Sequence, residues 1–240
     1  NLAVESYSPT IYLTKVRELI DNGFKFDRLH VYVDISDIYN DTSAYRISNG
    51  SVLQLESEQV TNLPNPGVLS AKSKATLKKL FPLIYDALWN LKEKLKPRDE
   101  PNEIPKSVLD KDYTPSAWTY DSNTPGYGEG GVDIAIGKSV SFMKQLYELT
   151  RQNNIRMSVG VYPWPGQLLY DTRDSRQVRI WKDFCIKRCE FFFDSFGSFF
   201  KLKDTHGINN VIQEYLIPGD MHFNRKGHQV IAETFFKTIR

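Results

Sequence analysis

The chain has 240 residues, 40% of them hydrophobic and 25% charged, with a net charge of +2. That is enough apolar material for one sizeable core, and a charge so near neutral gives no electrostatic case for nucleic acid as a partner. No stretch approaches the ~18 apolar residues that a membrane-spanning helix needs, so no transmembrane segment is expected.

Leu2-Ala3-Val4 reads as a short buried strand, and the chain opens as if inside a domain whose first strand lies upstream. Ser8-Pro9-Thr10 starts a helix with Ile11, Val16, Leu19 and Ile20 as its apolar stripe, and Asn22-Gly23 stops it. Leu29 to Ile35 is β-branched and aromatic, the best strand of the first half. Strand, helix and strand in this order predict a right-handed parallel crossover. Val52 to Leu55 reads as a short strand, Asn62 to Gly67 as a loop, and Ala71 to Lys96 as a long helix interrupted by Pro82.

Residues 97–131 hold five prolines together with Trp118, Tyr120 and Tyr127. Such a segment is either an aromatic wall for a substrate pocket or a surface excursion pinned by its own rings. Val132 to Asn153 is a second strong helix, and Ile155 to Pro163 is the next strand. Tyr162-Pro163-Trp164-Pro165-Gly166-Gln167 follows that strand, where ligand contacts or a rigid turn belong. Ser175 to Lys187 is expected as a helix, Phe191 to Asp194 as a strand, Lys201 to His206 as a surface loop, and Asn224 to Ile239 as the closing helix. The alternation predicts an α/β fold with helices on both faces of a mostly parallel sheet, as one domain over 1–240 carrying the 97–131 insertion.

Cys185 and Cys189 are the only cysteines. On a continuous helix their side chains point roughly in parallel, a poor geometry for a disulfide. They are expected as small packed residues. His30, inside a strand, is expected to be packed, and His206 has no evident partner.

The chemistry is concentrated at the tail, in Pro218-Gly219-Asp220-Met221-His222-Phe223-Asn224 running into Gly227-His228. A hydroxyl nucleophile needs a base, and an imidazole base needs a carboxylate to fix its tautomer. With one residue between them, Asp220 can reach Nδ1 of His222 and leave Nε2 free. Gly219 permits a sharp turn, and Asn224 suits the N-cap of the last helix. A metal site built on Asp220 and His222 would need further ligands, and no second cluster has ligand spacing.

The run Asp-x-His-x-Asn-x-x-Gly-His ahead of a terminal apolar helix resembles the last block of the SGNH/GDSL hydrolase family. The resemblance implies a flavodoxin-like three-layer α/β/α fold, a serine esterase or acylhydrolase activity, no metal and no organic cofactor. It gives Asp220 and His222 the catalytic roles and makes His228 structural. Asn1 to Ser8 is similar to the family's second block, with Ser6 where an oxyanion-hole Gly stands; a backbone N–H survives that change. Asp34-Ile35-Ser36-Asp37 is similar to the third block, with Ser36 in place of the oxyanion-hole Asn. The family's Gly-Asp-Ser block occurs nowhere in these 240 residues, so the nucleophile and first strand are expected upstream, and the chain alone is expected to hydrolyse esters poorly. The resemblance implies small acyl esters, acetyl among them, carried on a small molecule or a glycan. A non-catalytic carbohydrate- or protein-binding module and an O-acyltransferase are the alternatives. The compartment is not specified by the sequence.

Overall fold

A computed structural model describes residues 7–48, 51–54 and 109–240, with the backbone alone for 46–48 and 51–54. The expected strand at Leu2 to Val4 and the expected helix at Ala71 to Lys96 lie outside these residues, as does Ser6. The chain divides into a large unit, Asn1–Ser57 with Asn102–Arg240, and a small one, Glu58–Pro101, which falls wholly outside the described residues.

The large unit is an α/β structure around a parallel sheet of three strands. These are β1 (Arg28–Tyr32), β4 (Arg156–Val161) and β5 (Phe192–Asp194), in the order β1-β4-β5. Leu29 stands beside Met157 and Val31 beside Val159 across the β1–β4 pair, and Val159 beside Phe192 across β4–β5. Between β1 and β4 the chain forms the short helix α2 (Asp37–Ser43) and an antiparallel hairpin of β2 (Tyr45–Ser48) and β3 (Ser51–Gln54). After residue 108 come α3 (Thr114–Ala117) and α4 (Gly131–Gln152), and α5 (Pro165–Tyr170) follows β4.

Helices cover both sheet faces. Val31, Met157, Val159 and Val161 share one buried cluster with Leu13 and Val16 of α1 (Pro9–Asp21) and with Met143 and Leu146 of α4. Val178, Trp181 and Phe184 of α6 (Arg176–Cys185) complete it. On the opposite face Phe193 meets Phe235 of the last helix, α9 (Arg225–Thr238), with ring centroids 4.6 Å apart. Gly160 lies beneath the Tyr32 ring so closely that an added Cβ would sit 2.4 Å from it. His30 packs edge-on against Phe235 on this face, although much of its surface stays exposed.

Two local expectations are corrected. Cys185 and Cys189 form a disulfide. The reason is that α6 stops at Cys185: Ile186 leaves the helical region, Lys187 takes a positive φ of 64°, and the chain turns back so that Cys189 N–H donates to the Cys185 carbonyl. The parallel side chains of a continuous helix are therefore not the relevant geometry. Lys201 to His206 is not a loop but the end of α7 (Phe196–His206), whose inward face is Phe196, Phe199 and Phe200. Its polar surface residues concealed that face. In the 109–131 segment Trp118 is fully buried and donates its indole N–H to the Ile35 carbonyl at 3.0 Å, bracing the segment that follows β1.

Among the described residues no helix is long and apolar enough to cross a membrane.

Candidate active site at the carboxyl edge of the sheet

The turn carrying Asp220 and His222 is built from the backbone outward. It joins α8 (Ile208–Tyr215) to α9. Leu216 and Phe223 form an antiparallel bridge, Ile217 N–H donates to the His222 carbonyl at 2.9 Å, and Asp220 N–H donates to the Ile217 carbonyl at 2.9 Å. Gly219 takes the positive φ, 76°, that the reversal requires. Asn224 locks the exit. Its Oδ1 caps α9 by accepting from Lys226 and Gly227, and its Nδ2 donates to the carbonyls of Glu214 and Leu216. Gly227 permits the close approach, since a Cβ there would lie 2.4 Å from the Tyr215 carbonyl oxygen.

Within this turn Asp220 Oδ1 lies 2.6 Å from His222 Nδ1, and the same oxygen accepts the His222 backbone N–H at 3.1 Å. A carboxylate only accepts, so the ring proton belongs on Nδ1 and Nε2 carries the lone pair. Burial opposes ionisation of Asp220, but the hydrogen bonds from the His222 backbone and ring outweigh it and hold the carboxyl below its ordinary value. The His222 ring is 56% exposed, so the pair is open to a reactant. His228 lies in the first turn of α9, with its ring edge-on to Phe223.

Phe223 ties this turn to the sheet. It is buried, stacks on Phe199 at 4.5 Å and meets the Tyr162 ring at 5.8 Å. Tyr162 follows β4 and donates its phenol to Asp34 Oδ2 at 2.9 Å. Trp164 donates its indole N–H to the same oxygen at 2.7 Å. On Oδ1, Asp34 accepts the Ser36 N–H at 2.9 Å and the Ser36 hydroxyl at 2.6 Å. Asp34 therefore takes four donors, the full complement of a carboxylate, and clasps the ends of β1 and β4 together. A buried relay supports the clasp: Gln167 Oε1 accepts the Trp164 N–H, Gln167 Nε2 donates to Gln177, and Gln177 Nε2 donates to the Val33 carbonyl.

Beneath Asp34 lies Asp37, buried, with its Oδ2 accepting the Tyr12 phenol at 2.7 Å and the Asp34 N–H at 3.1 Å. Burial first, and then the neighbouring Asp34 charge, push the Asp37 carboxyl well above its ordinary value against the pull of the Tyr12 hydrogen bond.

The structure thus brings Asp220 and His222 into contact. It puts Ser36 at the same carboxyl edge, linked through Asp34, Tyr162 and Phe223 but not hydrogen-bonded to His222. Both hydrogens of Ser36 that could reach an oxyanion are spent on Asp34, so Ser36 Oγ presents lone pairs instead. Sequence reasoning missed the central role of Asp34. Its signal was its place just beyond the strongest strand, opposite the Tyr-Pro-Trp that leaves the next parallel strand. Among the described residues no three His, Cys, Asp or Glu side chains gather as a metal site. Comparison of the chain with family models, with curated proteins and with solved structures gives no match.

Proposed function

We propose that this chain is an SGNH-type serine esterase or acylhydrolase on a flavodoxin-like three-layer fold, with His222 as the base and Asp220 as its orienting carboxylate. The observation that carries this reading is the 2.6 Å contact between Asp220 Oδ1 and His222 Nδ1 on an exposed, rigidly capped turn. A structural salt link has no need to leave Nε2 facing solvent. The parallel sheet with helices on both faces supports the fold assignment, and the motif run from Asp220 to His228 supports the family.

In this reading a serine from outside these 240 residues, in the family's Gly-Asp-Ser setting, gives its proton to His222 Nε2 as its oxygen attacks the acyl carbon. The tetrahedral oxyanion forms, and His222 passes the proton to the leaving alkoxide. Water, deprotonated by the same nitrogen, then releases the acyl group. The resemblance assigns the oxyanion to the Ser6 backbone N–H and to Ser36. The grip of Asp34 on the Ser36 hydroxyl argues against the second donor and leaves the role to the Ser6 N–H. Transfer of the acyl group to a sugar hydroxyl would use the same residues.

The test is hydrolysis of p-nitrophenyl acetate by the protein as its gene encodes it. His222→Ala should reduce kcat by about 10²- to 10⁴-fold, the usual contribution of a positioned base. Turnover that is equal in wild type and His222→Ala would contradict the proposal.

A further inference from the structure

Ser36 caps the start of α2, Tyr39 and Asn40 lie on its first turn beside the Asp34 clasp, and Tyr113 of the 109–131 segment lies within electrostatic reach of Asp34 and Tyr39. The Tyr113 ring stacks on Trp164 with centroids 6.3 Å apart and planes at 25°. The Tyr39 ring is held edge-on by Tyr127 at 5.7 Å, and Gly126 packs so closely that an added Cβ would lie 3.3 Å from Tyr39. Burial, then the Asp34 charge, then Tyr39 raise the pKa of the Tyr113 phenol, so the three groups sit within electrostatic reach of one another and Tyr113 remains a proton donor.

These side chains are half-buried, yet among the described residues most of their polar capacity is unused. Among the described residues neither phenol makes a hydrogen bond. The Asn40 amide has only a long 3.5 Å contact to Ser36 Oγ. Ser36 Oγ, its hydrogen given to Asp34, can accept. Half-buried polar groups left without partners are costly when an apolar ligand seals them from water. An acyl chain therefore fits this niche poorly. A sugar ring fits it: its C–H face lies on an aromatic ring, and its hydroxyls both donate and accept.

We propose that Tyr39, Asn40 and Tyr113, with Ser36 Oγ, form the subsite for the alcohol part of the ester, and that this part is a neutral sugar ring. The proposal rests on the esterase reading for its place in a reaction but not for its binding. Tyr113 supplies the platform and one hydroxyl contact. Asn40 supplies a donor and an acceptor together. Ser36 accepts from a sugar hydroxyl, the reverse of an oxyanion-hole role.

The test is saturation-transfer NMR and titration with methyl glucoside and methyl N-acetylglucosaminide, which carry no ester to cleave. Wild-type protein should bind one of them. Tyr113→Ala should weaken binding about tenfold, the value of one lost aromatic contact, and Asn40→Ala should weaken it similarly. Tyr113→Phe, which keeps the platform and the fold, should fall between wild type and Tyr113→Ala. Failure of wild-type protein to bind either glycoside, or unchanged binding by Tyr113→Ala, would overturn the subsite. Glycoside binding without ester hydrolysis would instead sink the esterase reading and leave the subsite standing.

Discussion

The Tyr162 phenol donates to Asp34 Oδ2 at 2.9 Å, joining the ends of two adjacent parallel strands at the edge where the His222 turn docks. A hydrogen bond to a charged acceptor contributes roughly 1.5–3 kcal/mol. Tyr162→Phe keeps the ring against Phe223 and deletes only that bond. It should lower the unfolding free energy by about 1–2 kcal/mol, at the low end because Asp34 keeps three donors. Urea denaturation with an unchanged m-value would show this; an unchanged midpoint would mean that the clasp adds nothing.

Gly227 makes a tight backbone approach in the His222 turn. An alanine methyl there would meet the Tyr215 carbonyl and the Phe223 ring at 2.4 and 2.6 Å. Because a carbonyl cannot move aside as a side-chain tip can, Gly227→Ala should cost about 1–3 kcal/mol. Thermal unfolding should show the loss, and Phe223 should move away from Tyr162. A variant as stable as wild type would rule out this packing.

Asp37 gives the fold a pH signature of defined sign. Its carboxyl is raised by burial and by Asp34. A group whose folded pKa exceeds its unfolded value stabilises fully below the unfolded pKa, about 4 for Asp, and that contribution is lost as pH rises through the folded value. Asp37→Asn keeps an acceptor for Tyr12 and carries no charge. Its Tm should be higher than wild type at neutral pH, and the difference should shrink toward pH 4. A variant less stable than wild type at every pH would contradict the assignment.

The disulfide closes a short loop, four residues apart in sequence, just before β5. Chain entropy gives such a loop about 2 kcal/mol. Cys185→Ser with Cys189→Ser should lower stability by about that amount, and thiol titration of the unfolded wild-type protein without reductant should find no free thiol. Two reactive thiols would exclude the bond.

Much of this architecture was legible in the residues. The apolar stripes of α1, α4 and α9 and the β-branched run from Leu29 to Val33 announce their elements, because helices and parallel strands are selected by which faces are buried. The His222 turn was legible for a different reason: Gly219, Asn224 and Gly227 each meet a local backbone need. The disulfide was not, because a single change of direction at Ile186 and Lys187 decides it. Neither was the Asp34 clasp, whose partners Tyr162 and Trp164 are more than a hundred positions away in sequence and come together only through the strand pairing. The same holds for Trp118, whose partner, the Ile35 carbonyl, lies 83 positions away in sequence.

The proton on His222 tests the account most directly, because it reports the proposed base without requiring a nucleophile. Long-range ¹⁵N–¹H correlation spectra of the histidine rings, recorded at alkaline pH, should show the proton on Nδ1 and a bare Nε2. Asp220→Asn should shift that population toward the other tautomer. A His222 ring protonated at Nε2 in the wild-type protein, or one indifferent to Asp220, would contradict the central claim.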